Sequence, residues 1–578
     1  MPPDAGAPPV SAWSRTTPPG LAVAPDAAAP ARARAEAGWM APAAIGLALV
    51  ALLGPVLAGA VPPLTDYPNH LARIWLEGGG AALAPLSRMY RVAWDAVTNI
   101  GIDLFARALV PWLGYERVGR LLVGAAALLP ALGGVALWRA LHGRFHGWQI
   151  AFALLAWNIG LVMGFLNFEI GLGVALLAAA LDPALRRRGP ALRAAARMAL
   201  AALLLVVHVF GLVFYAALLA GIALGPDLAP LRRRAGLARA ARDILAIAVT
   251  LAIPVAILLI AAPTLPGKQT GATLVSALAD FQTGFAEFRA FPVPKILLAL
   301  IGVRTYVEGL DTLTLAAILL TILAARILGR LRAHAGMAIA AAGLFACYFL
   351  FPGFLAGTAW IDRRFALMAL LTVVVAARPE PSPRLAAALA VALLALSLAR
   401  TGVVGWIWHE RQADVAALGR ALEPVPAGAA VLPLDDPGER ASAPWGRYTT
   451  LGGPTYGHLP TLAIPLRQAF APTLFAARGK QPVQVLAPYD EIAEADGGIL
   501  ADAHALTDSR IFARAARLAG YLGRWRERFD YAVMVDADAP GAAPFAPPEG
   551  MTLVRDEGFA RLYRIDRRPA ALTPSAMP

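Results

Sequence analysis

The chain has 578 residues, of which 58% are hydrophobic and 15% charged, with a mean hydropathy of +0.61. That much apolar sequence excludes a soluble globular protein of this size, and apolar runs of about 20 residues recur as candidate membrane spans. The formal charge of +13 does not point to nucleic acid, because the arginines fall in short blocks between apolar runs, as at Arg186 to Arg188, Arg232 to Arg234 and Arg326 to Arg332. That is the pattern of cytoplasmic loops. Cys347, the single cysteine, lies inside an apolar run and excludes a disulfide within the chain.

Residues 1–36 are rich in Pro and Ala without periodicity, which predicts a disordered cytoplasmic N-terminus. Residues 37–404 read as a transmembrane domain. Its first span is Trp39 to Ala60, entered from the cytoplasm because Arg32 and Arg34 precede it. The span ends in Ala58-Gly59-Ala60, which mimics a signal-peptidase site, but its length predicts an uncleaved anchor.

Residues 61–118 form a long outer loop that opens with Pro62-Pro63-Leu64-Thr65-Asp66-Tyr67-Pro68-Asn69-His70-Leu71-Ala72-Arg73. From Tyr67 onward a helix puts Asp66, His70, Arg73 and Glu77 at i, i+4, i+7 and i+11, on one face. Asn99 to Leu113 predicts a helix along the membrane surface, with Asn99, Asp103 and Arg107 on one face and Ile102, Leu104, Phe105 and Leu109 over much of the rest.

Leu121 to Trp138 then returns inward. Trp148 to Leu181 is too long for one upright helix, is broken at Gly164 to Glu169, and lies between two basic loops. Equal flanks require an even number of crossings, so a hairpin is predicted with Asn167 and Glu169 at its outer tip. Met198 to Leu224 predicts a second hairpin around His208. Ile244 to Ala262 exits to a second outer loop at residues 263–309, Thr312 to Ala325 returns, and Met337 to Phe351 exits to a third at Pro352 to Arg364. Phe365 to Ala377 and Leu385 to Val404 complete about 11 spans, leaving residues 405–578 outside as a soluble α/β domain. Helices are expected there at Ala413 to Leu422 and Ile511 to Phe529, strands at Ala429 to Leu434 and Tyr531 to Val535, and a hairpin from Thr552 to Ile565. Gly452 to His458 reads as a loop.

This topology gathers the unusual polar residues on one side: Asp66, His70, Arg73, Asp103, Asn167, Glu169, His208, Asp362, Arg363 and Arg364. Ionisable groups at membrane depth are costly and mark functional sites. Seven of them also have a plainer reading. Asp66 suits an N-cap before Pro68, His70 a backbone-bonded interfacial histidine, and His208 a packed one. Asn167 and Glu169 suit a tight turn, and Arg363 and Arg364 a helix end where they snorkel.

The arrangement resembles the GT-C superfamily of membrane glycosyltransferases. In that family an early Asp of the first outer loop acts in catalysis, a surface helix follows, and a short loop after the third span carries a second acid. Asp66 matches the first position and Glu169 the second, over roughly residues 39 to 400. The resemblance implies a GT-C-like helical bundle and an enzyme of the bacterial inner (plasma) membrane, with its C-terminal domain in the periplasm. It implies a polyprenyl-phosphate-linked sugar as donor and a glycan, lipid or protein acceptor. Asp66 would then be the general base, with Arg363 and Arg364, and Arg73 beside them, near the departing phosphate. The family's tighter Asp-Glu pair is absent, since Tyr67 follows Asp66; a divalent cation therefore stays open as a cofactor. A transporter or flippase of a lipid-linked or small polar solute, and a non-catalytic envelope assembly protein, are the alternatives.

Overall fold

A computed structural model describes residues 29–95, 98–261, 295, 300–355 and 358–567. Residues 1–28 of the expected disordered N-terminus and most of the second outer loop lie outside them. Helix α1 (Ala29–Ala51) starts earlier than expected: Pro30 suits a first turn, and Ala31 to Ala37 alternates alanine with Arg and Glu, all strong helix formers.

The segment expected as the first outer loop contains α2 (Tyr67–Glu77) and α3 (Gly101–Leu113). Then follow α4 (Tyr115–His142), α5 (Ile150–Ala156), α6 (Ile159–Val162) and α7 (Leu166–Arg186). After these come α8 (Pro190–Val207), α9 (Val209–Leu224), α10 (Arg234–Ala261), α11 (Glu308–Ile327) and α12 (Ala335–Leu350). The helical part ends in α13 (Ile361–Ala376), α14 (Pro383–Glu410) and α15 (Gln412–Leu422).

Among the described residues seven helical stretches are long and apolar enough to cross a bilayer: Met40–Leu57, Tyr115–His142, Leu166–Arg186, Pro190–Val207, Arg234–Ile260, Glu308–Ile327 and Pro383–Leu422. The chain is thus a helical membrane protein. The other segments of the expected eleven, Gly147–Val162, Val209–Leu224, Ala335–Leu350 and α13, are shorter than the ~20 residues of an upright span.

Both expected hairpins have the predicted breaks. The first turns through α5, α6 and Gly164, with Asn167 and Glu169 in the first turn of α7. The second turns at His208, whose extended backbone (φ −169°, ψ 129°) separates α8 from α9. Helices α4 and α7 pack closely because Gly133 faces the Gly173 carbonyl, where an added Cβ would come within 2.7 Å. Buried ion pairs pin other neighbours: Asp182 of α7 with Arg193 and Arg197 of α8, and Asp311 of α11 with Arg400 of α14 at 3.0 Å.

One placement differs. Asp362, Arg363 and Arg364 lie in the first turn of α13 and not in a loop. Ahead of the helix Phe354–Leu355 pairs, antiparallel, with Thr358–Ala359, and Trp360 (φ 63°) starts the helix.

The C-terminal part builds a five-stranded mixed sheet. Its strands are β1 (Val431–Asp435), β2 (Ala501–Asp502), β3 (Tyr531–Val535), β4 (Met551–Asp556) and β5 (Ala560–Ile565), in the order β4-β5-β3-β1-β2. The β1 strand pairs in parallel with both β2 and β3, while β5 is antiparallel to β3 and β4. The expected long helix from Ile511 to Phe529 ends at Leu518 as α16 (Ser509–Leu518), and a short turn of helix, Trp525–Arg528, resumes after Gly520 and Gly523.

This sheet does not form its core alone. Ala72, Leu76, Leu86, Met89 and Tyr90 of the first outer loop are buried with Leu432, Leu434, Ile464, Phe470 and Met534. Tyr90–Val92 also pairs, antiparallel, with Val483–Val485. The loop and the C-terminal sheet share one core, which brings α2 against the C-terminal part.

Candidate active site

The N-terminus of α2 is held against the tip of the first hairpin. Thr65 and Asp66 N–H groups donate to the Val162 and Met163 carbonyls, each at 3.0 Å. Gly164 (φ 83°) permits this, since a Cβ there would stand 2.8 Å from the Asp66 nitrogen. Asp66 occupies the N-cap position but makes no side-chain cap bond. Its carboxylate turns instead into a cavity of about 420 Å³. The capping reading of Asp66 therefore fails.

Of the ten residues singled out in the sequence, Asp66, His70, Arg73, Asn167, His208 and Arg364 line this cavity. Asp66 is 15% exposed, and burial pushes its carboxyl up to about 7, although Arg364 and Arg73 pull it down. His70 Nε2 lies 3.2 Å from the Gly164 carbonyl, so this nitrogen carries the proton. Burial, with Arg73 nearby, holds the His70 imidazole well below its usual range, and the ring is neutral. Asn167 works on backbone: its Oδ1 accepts from Ile102 N–H (2.9 Å) and its Nδ2 donates to the Asn99 carbonyl (2.8 Å), tying α3 to α7.

Arg364 is buried in a ring of Phe165, Phe168 and Phe210, with its guanidinium 4.6, 5.1 and 5.4 Å from their centroids. Its one hydrogen-bond neighbour among the described residues is His208 Nε2 at 3.2 Å, and its Nε has no partner. His208 Nδ1 already accepts from Phe210 N–H at 3.1 Å. A neutral imidazole has one acceptor nitrogen, so His208 cannot accept from both. The guanidinium therefore keeps donors unspent beside the cavity.

Four of the residues do not reach the cavity. Glu169 is fully buried behind it, and its carboxylate oxygens find no hydrogen-bond partner among the described residues. Asp103 is also fully buried and accepts from Arg73 Nε at 2.6 Å, with Glu77 at 3.5 Å from the same nitrogen. Burial and Asp103 raise the Glu77 carboxyl well above its usual range. Asp362 pairs with Lys295 (3.6 Å) and accepts from the Arg363 N–H (2.8 Å), so it orients neither arginine. Arg363 stacks on Trp360, 3.9 Å from the ring centroid. Successive residues on a helix point about 100° apart, so only one of the pair can face inward, and it is Arg364.

Sequence reasoning missed His458, at the end of the Gly452 to His458 loop. Its Nε2 lies 3.6 Å from Asp66 Oδ1. Asn69 sets its tautomer: the Asn69 amide oxygen accepts from Phe475 N–H (2.7 Å) and Nδ2 donates to the Thr473 carbonyl (2.6 Å). Nδ2 therefore also faces His458 Nδ1 (3.4 Å) as a donor, which places the ring proton on Nε2, toward Asp66. Burial lowers His458 to about 4, so it is neutral. The signal in the sequence was a histidine closing a Gly/Pro/Tyr loop, with nothing local to say what it would meet.

Among the described residues no group of three or more His, Cys, Asp or Glu is placed to hold a metal ion. The donor set around Asp66 does not fit a divalent cation, and no step is assigned to one. In chemical terms the cavity offers a carboxyl able to exchange a proton near neutrality and a buried cation with free donors. Comparison with known proteins finds no match, either to a family model or to a curated protein.

Proposed function

We propose that this chain is a GT-C-like inverting glycosyltransferase of the bacterial inner membrane, moving a sugar from a polyprenyl-phosphate donor to an acceptor hydroxyl on the periplasmic side. One observation carries the reading: Asp66, titrating near 7, and the buried Arg364, without a carboxylate bonded to it among the described residues, line one cavity. The proposed topology has eleven crossings, a cytoplasmic N-terminus and residues 405–578 outside. It is supported by the way the residues assigned to its outer face, Asp66, Asn167, His208 and Arg364, meet.

In the proposed reaction Asp66 takes the proton of the acceptor hydroxyl as its oxygen bonds to the anomeric carbon. The bond from that carbon to the phosphate oxygen breaks, and the electron pair leaves with polyprenyl phosphate. Arg364 offers its N–H donors to the charge that builds there. His458 Nε2–H faces the Asp66 carboxylate and steadies it.

The helix breaks at Trp157 and His208 favour a second reading, a carrier of a lipid-linked polar solute. One assay separates the two. Purified protein in liposomes, given a panel of lipid-linked sugars, should release polyprenyl phosphate, with a rate that rises with pH through about 7 because only the carboxylate accepts a proton. Asp66→Asn should lower turnover by about 10²-fold or more. Translocation of donor without release of polyprenyl phosphate, or normal turnover by the Asn variant, would refute the glycosyltransferase reading.

A further inference from the structure

A second cavity, of about 550 Å³, adjoins the first. Thr65, Met163, His458 and Ile499 line both, so the two meet at the edge where Asp66 lies. The floor of the second is the carboxyl end of β1 and β2, with Asp435 and Asp502. Strands on either side of β1 come from later parts of the chain, and at such a point the loops leaving the strand ends diverge and open a crevice.

The lining carries both signs. Burial, with Asp502 and Asp536 nearby, pushes the Asp435 carboxyl up to about 7, although a hydrogen bond from its own backbone N–H pulls it down. Arg440 and Arg514 line the same cavity, from the loop after β1 and from α16. Ile511 and Leu518 of α16, 41% and 58% exposed, add an apolar wall. Opposed charges around one cavity favour neither an anion nor a cation. A neutral group with many hydroxyls suits both, donating to carboxylates and accepting from guanidinium groups.

We propose that this second cavity binds a neutral polyhydroxyl group with an apolar flank, a sugar or polyol, and presents one of its hydroxyls to Asp66. The delivery to Asp66 rests on the glycosyltransferase reading; the binding itself does not. In that transfer the bound hydroxyl is the acceptor: it loses its proton to Asp66 as its oxygen bonds to the anomeric carbon and polyprenyl phosphate leaves.

The test uses the full chain in nanodiscs with Cys347→Ala. Gly453→Cys reports on the second cavity, where an added Cβ meets only Thr449 Oγ1 at 3.7 Å, and Gln481→Cys reports on the first. Phenyl β-glucoside should slow maleimide labelling of Gly453→Cys by about fivefold or more, a modest affinity, and leave Gln481→Cys nearly unchanged. Phenyl phosphate and benzyltrimethylammonium should protect neither, and adding Asp435→Ala should abolish the glucoside effect. Absence of protection, equal protection by the charged probes, protection at Gln481→Cys instead, or full protection in the Asp435→Ala chain would overturn the proposal. Protection without any polyprenyl phosphate release would leave this binding site standing and refute the glycosyltransferase reading.

Discussion

Replacing Asp66 with Asn should make the protein more stable while it removes activity. An ordinary aspartate titrates near 3.8, whereas burial holds Asp66 at about 7. Between those two values the folded chain keeps a proton that the unfolded chain has lost. Stability therefore falls as pH rises from about 4 through 7 and levels off above. Roughly three pH units at 1.36 kcal/mol each make the ionised carboxylate cost about 4 kcal/mol at pH 7.5, and about 1 kcal/mol at pH 4.5. Asn is neutral throughout, and no cap bond is lost with the carboxylate. Thermal or denaturant unfolding followed by tryptophan fluorescence should show Asp66→Asn ahead of the native chain by a margin that widens with pH. A margin that stays constant between pH 4.5 and 7.5, or an Asn variant less stable at pH 7.5, would refute the buried-carboxylate argument whatever the enzyme does.

Arg364→Lys keeps the charge but loses the planar fork, and should raise KM for the lipid donor about tenfold, whereas Arg363→Lys, at a residue that does not itself line the cavity, should change it little; equal effects on donor kinetics would refute the assignment. Asp103→Ala removes the carboxylate bonded to the buried Arg73 Nε and should cost about 3 kcal/mol in denaturant unfolding, unlike Arg363→Lys. In a Cys347→Ala background, Arg510→Cys should react with an impermeant maleimide added outside and Arg187→Cys should not; labelling of Arg187→Cys from outside would overturn the proposed orientation.

Membrane class, most helix positions and both hairpin breaks were legible in the sequence, because they depend on local properties. Apolar run length sets a span, Gly164 and His208 interrupt runs that are otherwise continuous, and the 3.6-residue period places Asp66, His70 and Arg73 on one face of α2. The same periodicity implied that Arg363 and Arg364 diverge, but not which of them turns inward. That was decided by the aromatic ring of Phe165, Phe168 and Phe210, contributed by the first and second hairpins. Glu169 was expected beside Asp66, yet it lies fully buried outside the cavity lining while Asn167, two residues earlier on α7, stands at the wall. His458 depended on contacts 389 residues apart in the chain, between Asn69 on α2 and a loop of the C-terminal domain. No local pattern encodes such a meeting, because it results from burying the apolar side of the first outer loop against the sheet, a tertiary event that places a polar pair at its edge.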